Sequence, residues 1–279
     1  MRRYTYRILN VFAESVLTGN PLCVFEDATG LSEIEMQALA LQFNLSETTF
    51  ILPSEVATAR VRIFTPSFEM PFAGHPTLGT AHVVRELRGA GNALTLDMKA
   101  GVIPVTGSGN VWTLEARKPT TRAAAAEHDI AGMLGLSPSD LGSPALWVDT
   151  GSEQLIVPLA SVEAVERCAP DARLLARYGS SATREGMAYV WAYATANTVV
   201  ARFFFLKRGS LTEDPGTGSA CANLGGWLLL RSTPLPFELT VQQGEQVGRP
   251  CQLGLRVDAA GRIFVSGNVI ELGRGAIQL

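Results

Sequence analysis

Short blocks of alternating apolar and polar residues run along most of this chain, separated by glycine and proline turns. Residues 4–12 and 21–26 read as strands, the second entered from Gly19-Asn20. Ser32 followed by Glu35 forms a capping box that starts a helix running toward Asn44. Strand patterns return at 47–52 and 59–64, then a helix at about 76–87 with Pro76 in its first turn and Gly89 as its stop. Strands follow at 93–98, 102–106 and 111–116. The alanine-rich, polar stretch 118–129 reads as a connection between domains. Beyond it the pattern predicts short helices at 130–134 and 162–167 and strands at 145–149, 153–158, 187–193 and 200–206. A helix at about 218–230 and strands at 237–242, 252–257, 263–266 and 269–271 complete the chain.

Two glycine-rich turns, Phe72-Ala73-Gly74-His75-Pro76 and Asp214-Pro215-Gly216-Thr217-Gly218-Ser219-Ala220, each feed into a helix. A helix start has unpaired N–H groups and the positive end of the macrodipole, so it suits a carboxylate or phosphate. After each helix come a strand and a glycine at matched distance: 27 residues separate Gly74 from Gly101, and 26 separate Gly218 from Gly244. The ordered match of turn, helix, strand and glycine points to an internal duplication. Both helices are rich in small residues, and Gly225-Gly226 would weaken an exposed helix by about 1 kcal/mol per glycine. Such helices fit best where strands approach closely. The expected fold is therefore α+β, each half a curved sheet around a central helix.

The 279 residues, 47% hydrophobic and 18% charged, suit a globular protein of one large or two ordinary domains. A net charge of -3 without a basic cluster argues against nucleic acid as partner. Met1-Arg2-Arg3 is not followed by an apolar segment, and no apolar run reaches membrane-spanning length, so a cytoplasmic protein away from the membrane is expected. Cys23, Cys168, Cys221 and Cys251 are scattered, as are His75, His82 and His128; neither set has metal-ligand spacing, and no metal is expected. Neither turn is a dinucleotide fingerprint or a phosphate loop with its lysine.

Glu47, in Asn44-Leu45-Ser46-Glu47-Thr48-Thr49-Phe50, is a candidate general acid/base. Leu45 and Phe50 would desolvate it and raise its pKa; it could equally be a solvated residue at a strand start. His75, at a helix start, should be neutral, or it could simply be a polar first-turn residue. Asp214 could be chemical or a helix cap. Ser219 could bind a ligand or cap the helix, and Cys221 reads as core.

Taken together these residues resemble the PhzF-like family, named for a phenazine-biosynthesis isomerase. The match spans nearly the whole chain and includes Gly19-Asn20-Pro21, Asn44-Leu45-Ser46-Glu47-Thr48, Ile63-Phe64-Thr65-Pro66, Pro71-Phe72-Ala73-Gly74-His75-Pro76, Glu213-Asp214-Pro215-Gly216-Thr217-Gly218-Ser219-Ala220, Gly248-Arg249-Pro250, Val265-Ser266-Gly267 and Gly273-Arg274-Gly275. The resemblance implies a diaminopimelate-epimerase-like fold of two pseudo-symmetric halves, each a mixed barrel-like sheet around a central helix. Residues 1–118 and about 267–279 would form one half and 119–266 the other, with the active site between them. It also implies a homodimer, no cofactor, and a small carboxylate substrate. By the same resemblance Glu47 transfers the proton, while His75 and Asp214 flank the substrate and assist in positioning the proton. Backbone N–H groups around Gly74, His75, Gly218 and Ser219 would hold the carboxylate, with Asn20 and Ser46 as further polar contacts.

Epimerases of this fold use a pair of thiols ahead of the two helices, where this chain has Ala73 and Pro215. One carboxylate that removes and returns a proton on one face suits isomerisation better than inversion. The leading expectation is a cofactor-independent isomerase. The alternatives are an epimerase that pairs Glu47 with a second base such as Asp214, and a non-catalytic carboxylate-binding or scaffolding homologue.

Overall fold

The computed structural model describes residues 1–182 and 184–279. The chain forms two compact units, Met1–Glu115 with Ser266–Leu279, and Ala116–Val265. The first contains β1 (Arg3–Val11), β2 (Asn20–Phe25), α1 (Glu33–Phe43), β3 (Glu47–Leu52), β4 (Ala59–Phe64), β5 (Glu69–Met70), α2 (Gly74–Arg88), β6 (Ala93–Met98), β7 (Gly101–Ser108) and β8 (Val111–Glu115). The second contains β9 (Thr120–Ala123), α3 (Glu127–Met133), β10 (Leu146–Asp149), β11 (Glu153–Pro158), α4 (Val162–Arg167), α5 (Ala172–Tyr178), β12 (Met187–Thr195), β13 (Thr198–Lys207), β14 (Ser210–Asp214), α6 (Gly218–Leu230), β15 (Phe237–Gln243) and β16 (Cys251–Val257). The last strand, β17 (Ile263–Gln278), begins in the second unit and continues through the first.

In the first unit the strands close into a barrel in the order β1-β2-β3-β4-β6-β7-β8-β17 and back to β1. The pairs β2–β3 and β4–β6 are parallel and the other pairs cited are antiparallel, which makes the sheet mixed. Helix α2 runs through it, touching β1, β2, β3, β4, β6, β7 and β8, and residues 74–84 are all buried. The second unit repeats the plan: β10–β11 antiparallel, β11–β12 parallel, β12–β13 antiparallel, β13–β15 parallel, β15–β16 antiparallel. The N–H groups of Ala116 and Arg117 reach the carbonyls of Ile263 (2.8 Å) and Thr150 (3.0 Å), joining the sheet's far edges. Helix α6 lies against β10, β11 and β16.

The small residues of the two helices mark where strands come closest. A Cβ on Gly79 would stand 2.6 Å from Leu22 Cδ2, and one on Gly225 2.9 Å from Ile263 and Leu255. On Gly226 it would stand 2.9 Å from Pro119. This is the fold class that the glycine pattern and the resemblance predicted.

The duplication extends to side chains. Phe64 pairs with Glu69 across β4–β5, and Phe204 with Glu213 across β13–β14. In each half an arginine two residues before the phenylalanine grips that glutamate: Arg62 on Glu69 and Arg202 on Glu213, both at 2.7 Å. Each guanidinium also lies over its phenylalanine ring, at 5.0 and 4.6 Å from the centroid.

Several sequence expectations change. The stretch 118–129 is not a plain connection, because Thr120–Ala123 pairs antiparallel with β10. Arg122 holds that edge, 4.2 Å over the Trp147 ring and 2.7 Å from Glu153. Helix α5, capped by Asp171 on the N–H groups of Arg173 and Leu174, was not anticipated. Nor were β5 and β14. The strands expected at 263–266 and 269–271 are one continuous strand. Helix α2 begins two residues before Pro76.

Candidate active site

Glu47 is the first residue of β3 and lies beside Leu22 of β2. Side chains alternate along a strand, so Glu47 shares a face with Thr49. Thr49 Oγ1 is 2.8 Å from Thr80 Oγ1 of α2, and Leu22 is the residue closest to Gly79, so this face looks inward to the helix. Phe50 sits on the opposite face with Met36 and Leu39 of α1. The expectation that Phe50 desolvates Glu47 is therefore corrected: the start of α2 covers it. The Glu47 side chain is 15% exposed and that of His75 is 7% exposed, and His75 Nε2 stands 3.5 Å from Glu47 Oε2.

His75 is hydrogen-bonded to the backbone of Pro21. Proline offers only a carbonyl there, so His75 donates. Its buried Nε2 makes no hydrogen bond among the described residues, so the donor is Nδ1. Burial, opposed by the Pro21 bond, pushes His75 down to about 3. The ring is neutral at physiological pH and turns the Nε2 lone pair toward Glu47. Asn20, buried, opens β2 beside Pro21, and Ser46 is half-buried in the bend before β3. Gly74 is the first residue of α2, whose N-cap Ala73 makes no side-chain cap bond.

This environment carries a pH signature. An unfolded histidine titrates near pH 6.5, and His75 in the folded chain near 3. Between these values the unfolded chain holds a proton that the folded chain refuses, so stability falls as pH drops through that window and is fully present above it. His75 alone contributes a slope of up to about 1.4 kcal/mol per pH unit. Unfolding curves between pH 7 and 4 should steepen for the wild type and flatten for His75→Asn. Equal slopes would mean that His75 accepts its proton in the fold.

In the second unit Asp214 ends β14, and the N-cap of α6 is Thr217. Asp214 is thus not the helix cap that was one reading of it: its Oδ2 instead accepts from the Thr217 hydroxyl. Gln243, buried at the end of β15, fixes this pair. Its Oε1 accepts from the Thr217 N–H (3.2 Å), and its Nε2 donates to Thr217 Oγ1 (3.0 Å) and the Asp214 carbonyl (2.8 Å). Gly218 and Ser219 are the first two residues of α6. Ser219 Oγ accepts from Gln154 Nε2 at 2.9 Å.

Gln154, Asn223, Thr217 and Gln243 were not among the sequence candidates. Their signal was amides and a hydroxyl inside apolar or glycine-rich runs, as in Ala222-Asn223-Leu224. All four cysteines are buried, and burial pushes each thiol up, Cys168 to about 12. Among the described residues His, Cys, Asp and Glu do not gather in a group able to hold a metal.

The duplication did not copy the acids. With Phe64 and Phe204 as equivalent points, Thr48 pairs with Phe64 as Ala188 pairs with Phe204. The place of Glu47 in the second half is thus taken by Met187. Ile63 pairs with Met70 as Phe203 pairs with Asp214, so the place of Asp214 in the first half is taken by Met70. Each half carries one of the two candidate carboxylates, at non-equivalent positions.

Residues 9–273 match the family model described as phenazine biosynthesis-like protein, PhzC-PhzF. An uncharacterized isomerase of Pasteurella multocida is 37% identical, covering 98% of this chain and 94% of its own. The trans-2,3-dihydro-3-hydroxyanthranilate isomerase of Pseudomonas chlororaphis is 34% identical over 98% of this chain and 99% of its own. The crystal structure of a Bacillus anthracis phenazine biosynthesis protein of the PhzF family superposes with a TM-score of 0.88 at 26% identity, covering 100% of both chains. No helix among the described residues is long and apolar enough to cross a membrane. With its fold, its turns and these relatives in agreement, the chain belongs to the PhzC-PhzF, phenazine biosynthesis-like family of isomerases.

Proposed function

We propose that this protein is a cofactor-independent isomerase that moves a proton on a small carboxylate-bearing substrate, with Glu47 as its single acid/base. The observation that carries the reading is the Glu47 carboxylate, largely withdrawn from water, 3.5 Å from the Nε2 of a neutral, buried His75. A proton taken from a carbon acid by Glu47 is then held between a carboxylate oxygen and an imidazole lone pair until it is returned. Gly74 and His75 at one helix start, and Gly218 and Ser219 at another, supply N–H groups for a carboxylate. Asp214 assists proton positioning, and Asn20 and Ser46 add polar contacts. The proposed working form is a cytoplasmic homodimer.

The first substrate to try is the one in the name of the Pseudomonas chlororaphis relative, trans-2,3-dihydro-3-hydroxyanthranilate. In D2O the substrate should be isomerised with no stereocentre inverted, the carbon that gains the proton carrying the hydrogen that Glu47 took or, where Glu47 exchanges before delivery, solvent deuterium. Inversion with deuterium uptake would replace this reading by an epimerase that pairs Glu47 with Asp214. A protein that gives neither turnover nor exchange on this compound and on related unsaturated carboxylates would overturn both.

A further inference from the structure

One buried chain of hydrogen bonds in the second half has a fixed direction. Asn223 Oδ1 accepts from the Thr150 N–H (2.9 Å) and the Thr150 hydroxyl (2.7 Å), while Asn223 Nδ2 donates to the Ser152 carbonyl (2.8 Å). A backbone N–H can only donate and a carbonyl can only accept, so the Asn223 amide is locked from both ends. Asn223 Nδ2 also donates to Gln154 Oε1 (2.7 Å), which leaves Gln154 Nε2 as the donor to Ser219 Oγ (2.9 Å). Gln154 is 1% exposed and Asn223 0%, so solvent does not compete for either amide.

The first half shows that the fold does not need amides there. Leu22 pairs with Glu47, so Val24 pairs with Thr49; Ile156 pairs with Tyr189, the equivalent of Thr49. Gln154 therefore occupies the place of Leu22. Leu22 rests on Gly79, five residues into α2, and Gln154 bonds Asn223, five residues into α6. An apolar contact in one half has become a locked amide pair in the other, and its free end reaches the second residue of the helix.

We propose that Gln154 is a positioning residue that, anchored by Asn223, donates to the Ser219 oxygen and so presents the Ser219 hydroxyl as a donor to a carboxylate oxygen of the substrate. The proposal rests on the reading of Ser219 as a substrate contact. The test is a double-mutant cycle on the full chain, with binding of anthranilate, an unreactive aromatic carboxylate, measured by titration calorimetry. Ser219→Ala and Gln154→Leu should each raise Kd by about 3- to 10-fold, the range of one hydrogen bond. Gln154→Leu on top of Ser219→Ala should add less than about 2-fold, because the glutamine acts through the hydroxyl. Gln154→Met, which keeps the side chain's length, serves where the leucine variant does not fold. If Gln154→Leu or Gln154→Met binds like the wild type, or if the two losses multiply in full, the amide is structural and the proposal falls while Ser219 keeps its contact. If Ser219→Ala binds like the wild type, or the wild type binds no anthranilate, the reading of Ser219 fails first and takes the proposal with it.

Discussion

Glu47→Gln should lower kcat/KM by about 10²- to 10⁴-fold, the usual contribution of a positioned general acid/base, while the melting temperature stays within a few degrees of the wild type. The substitution keeps the shape and one acceptor oxygen but cannot take up or return a proton. The fold should tolerate it, because Glu47 sits at the first residue of its strand and its neighbour His75 is neutral and held by Pro21. Glu47→Asp makes the complementary test. It preserves the chemistry and withdraws the carboxylate by one methylene, and a misplacement of about 1 Å costs about 10²-fold when geometry governs the rate. The two variants together separate loss of the proton acceptor from loss of its position. Full turnover by Glu47→Gln, with continued deuterium exchange, would remove Glu47 from the mechanism.

Gly244→Ala should destabilise the protein by about 3 kcal/mol or more, a loss of roughly 6–12 °C in melting temperature for a unit of this size. Gly244 has φ +89, a conformation costly for any residue with a Cβ. That Cβ would also stand 2.3 Å from the Arg249 carbonyl oxygen and 2.5 Å from that of Pro215. Both are backbone atoms, so no rotamer change relieves the clash. Pro215 directly follows Asp214, so any shift that makes room displaces the second turn, and KM should rise along with the loss of stability. Gly209→Ala is the matched control: its φ is +77, but its Cβ would meet nothing within 4 Å. It should show the conformational cost alone, about 1 kcal/mol. Equal losses at the two glycines would show that Gly244 does not press on the turn.

Much of this architecture is legible in the residues because local pattern and tertiary structure agree. Helix Gly218–Leu230 and the strands Glu47–Leu52, Ala59–Phe64 and Glu153–Pro158 have the bounds that periodicity and turn chemistry suggest. What escaped the pattern depends on partners distant in sequence. Glu69-Met70 is too short to carry a period, and it is a strand only because β4 lies alongside and Arg62 holds Glu69. Thr120–Ala123 is exposed at every position, so burial leaves no alternation to read, and its order comes from Trp147 and Glu153. The candidate residues were legible in kind but not in arrangement. That Glu47 faces the start of α2 rather than Phe50 follows from strand register, and register is set by pairing across the sheet. Gln154 and Asn223 looked like ordinary amides in apolar runs until their fixed direction of donation was visible.

The route of the final strand bears on how the chain is made. The first barrel has every strand but one by residue 115, and β17, which pairs with β1 from Val269 to Gln278, is the last of its strands to be synthesised. Until it arrives, β1 keeps an open edge along nearly its whole length, although its neighbour β2 has long been in place. The first half to leave the ribosome is therefore among the last to finish folding. Its closing contact is also the most distant in sequence, with Arg2 and Leu279 bonded backbone to backbone at 2.8 and 3.0 Å. A nascent chain stalled before residue 269 would expose that edge to other chains, so the vulnerable stage of synthesis is the one before β17 emerges.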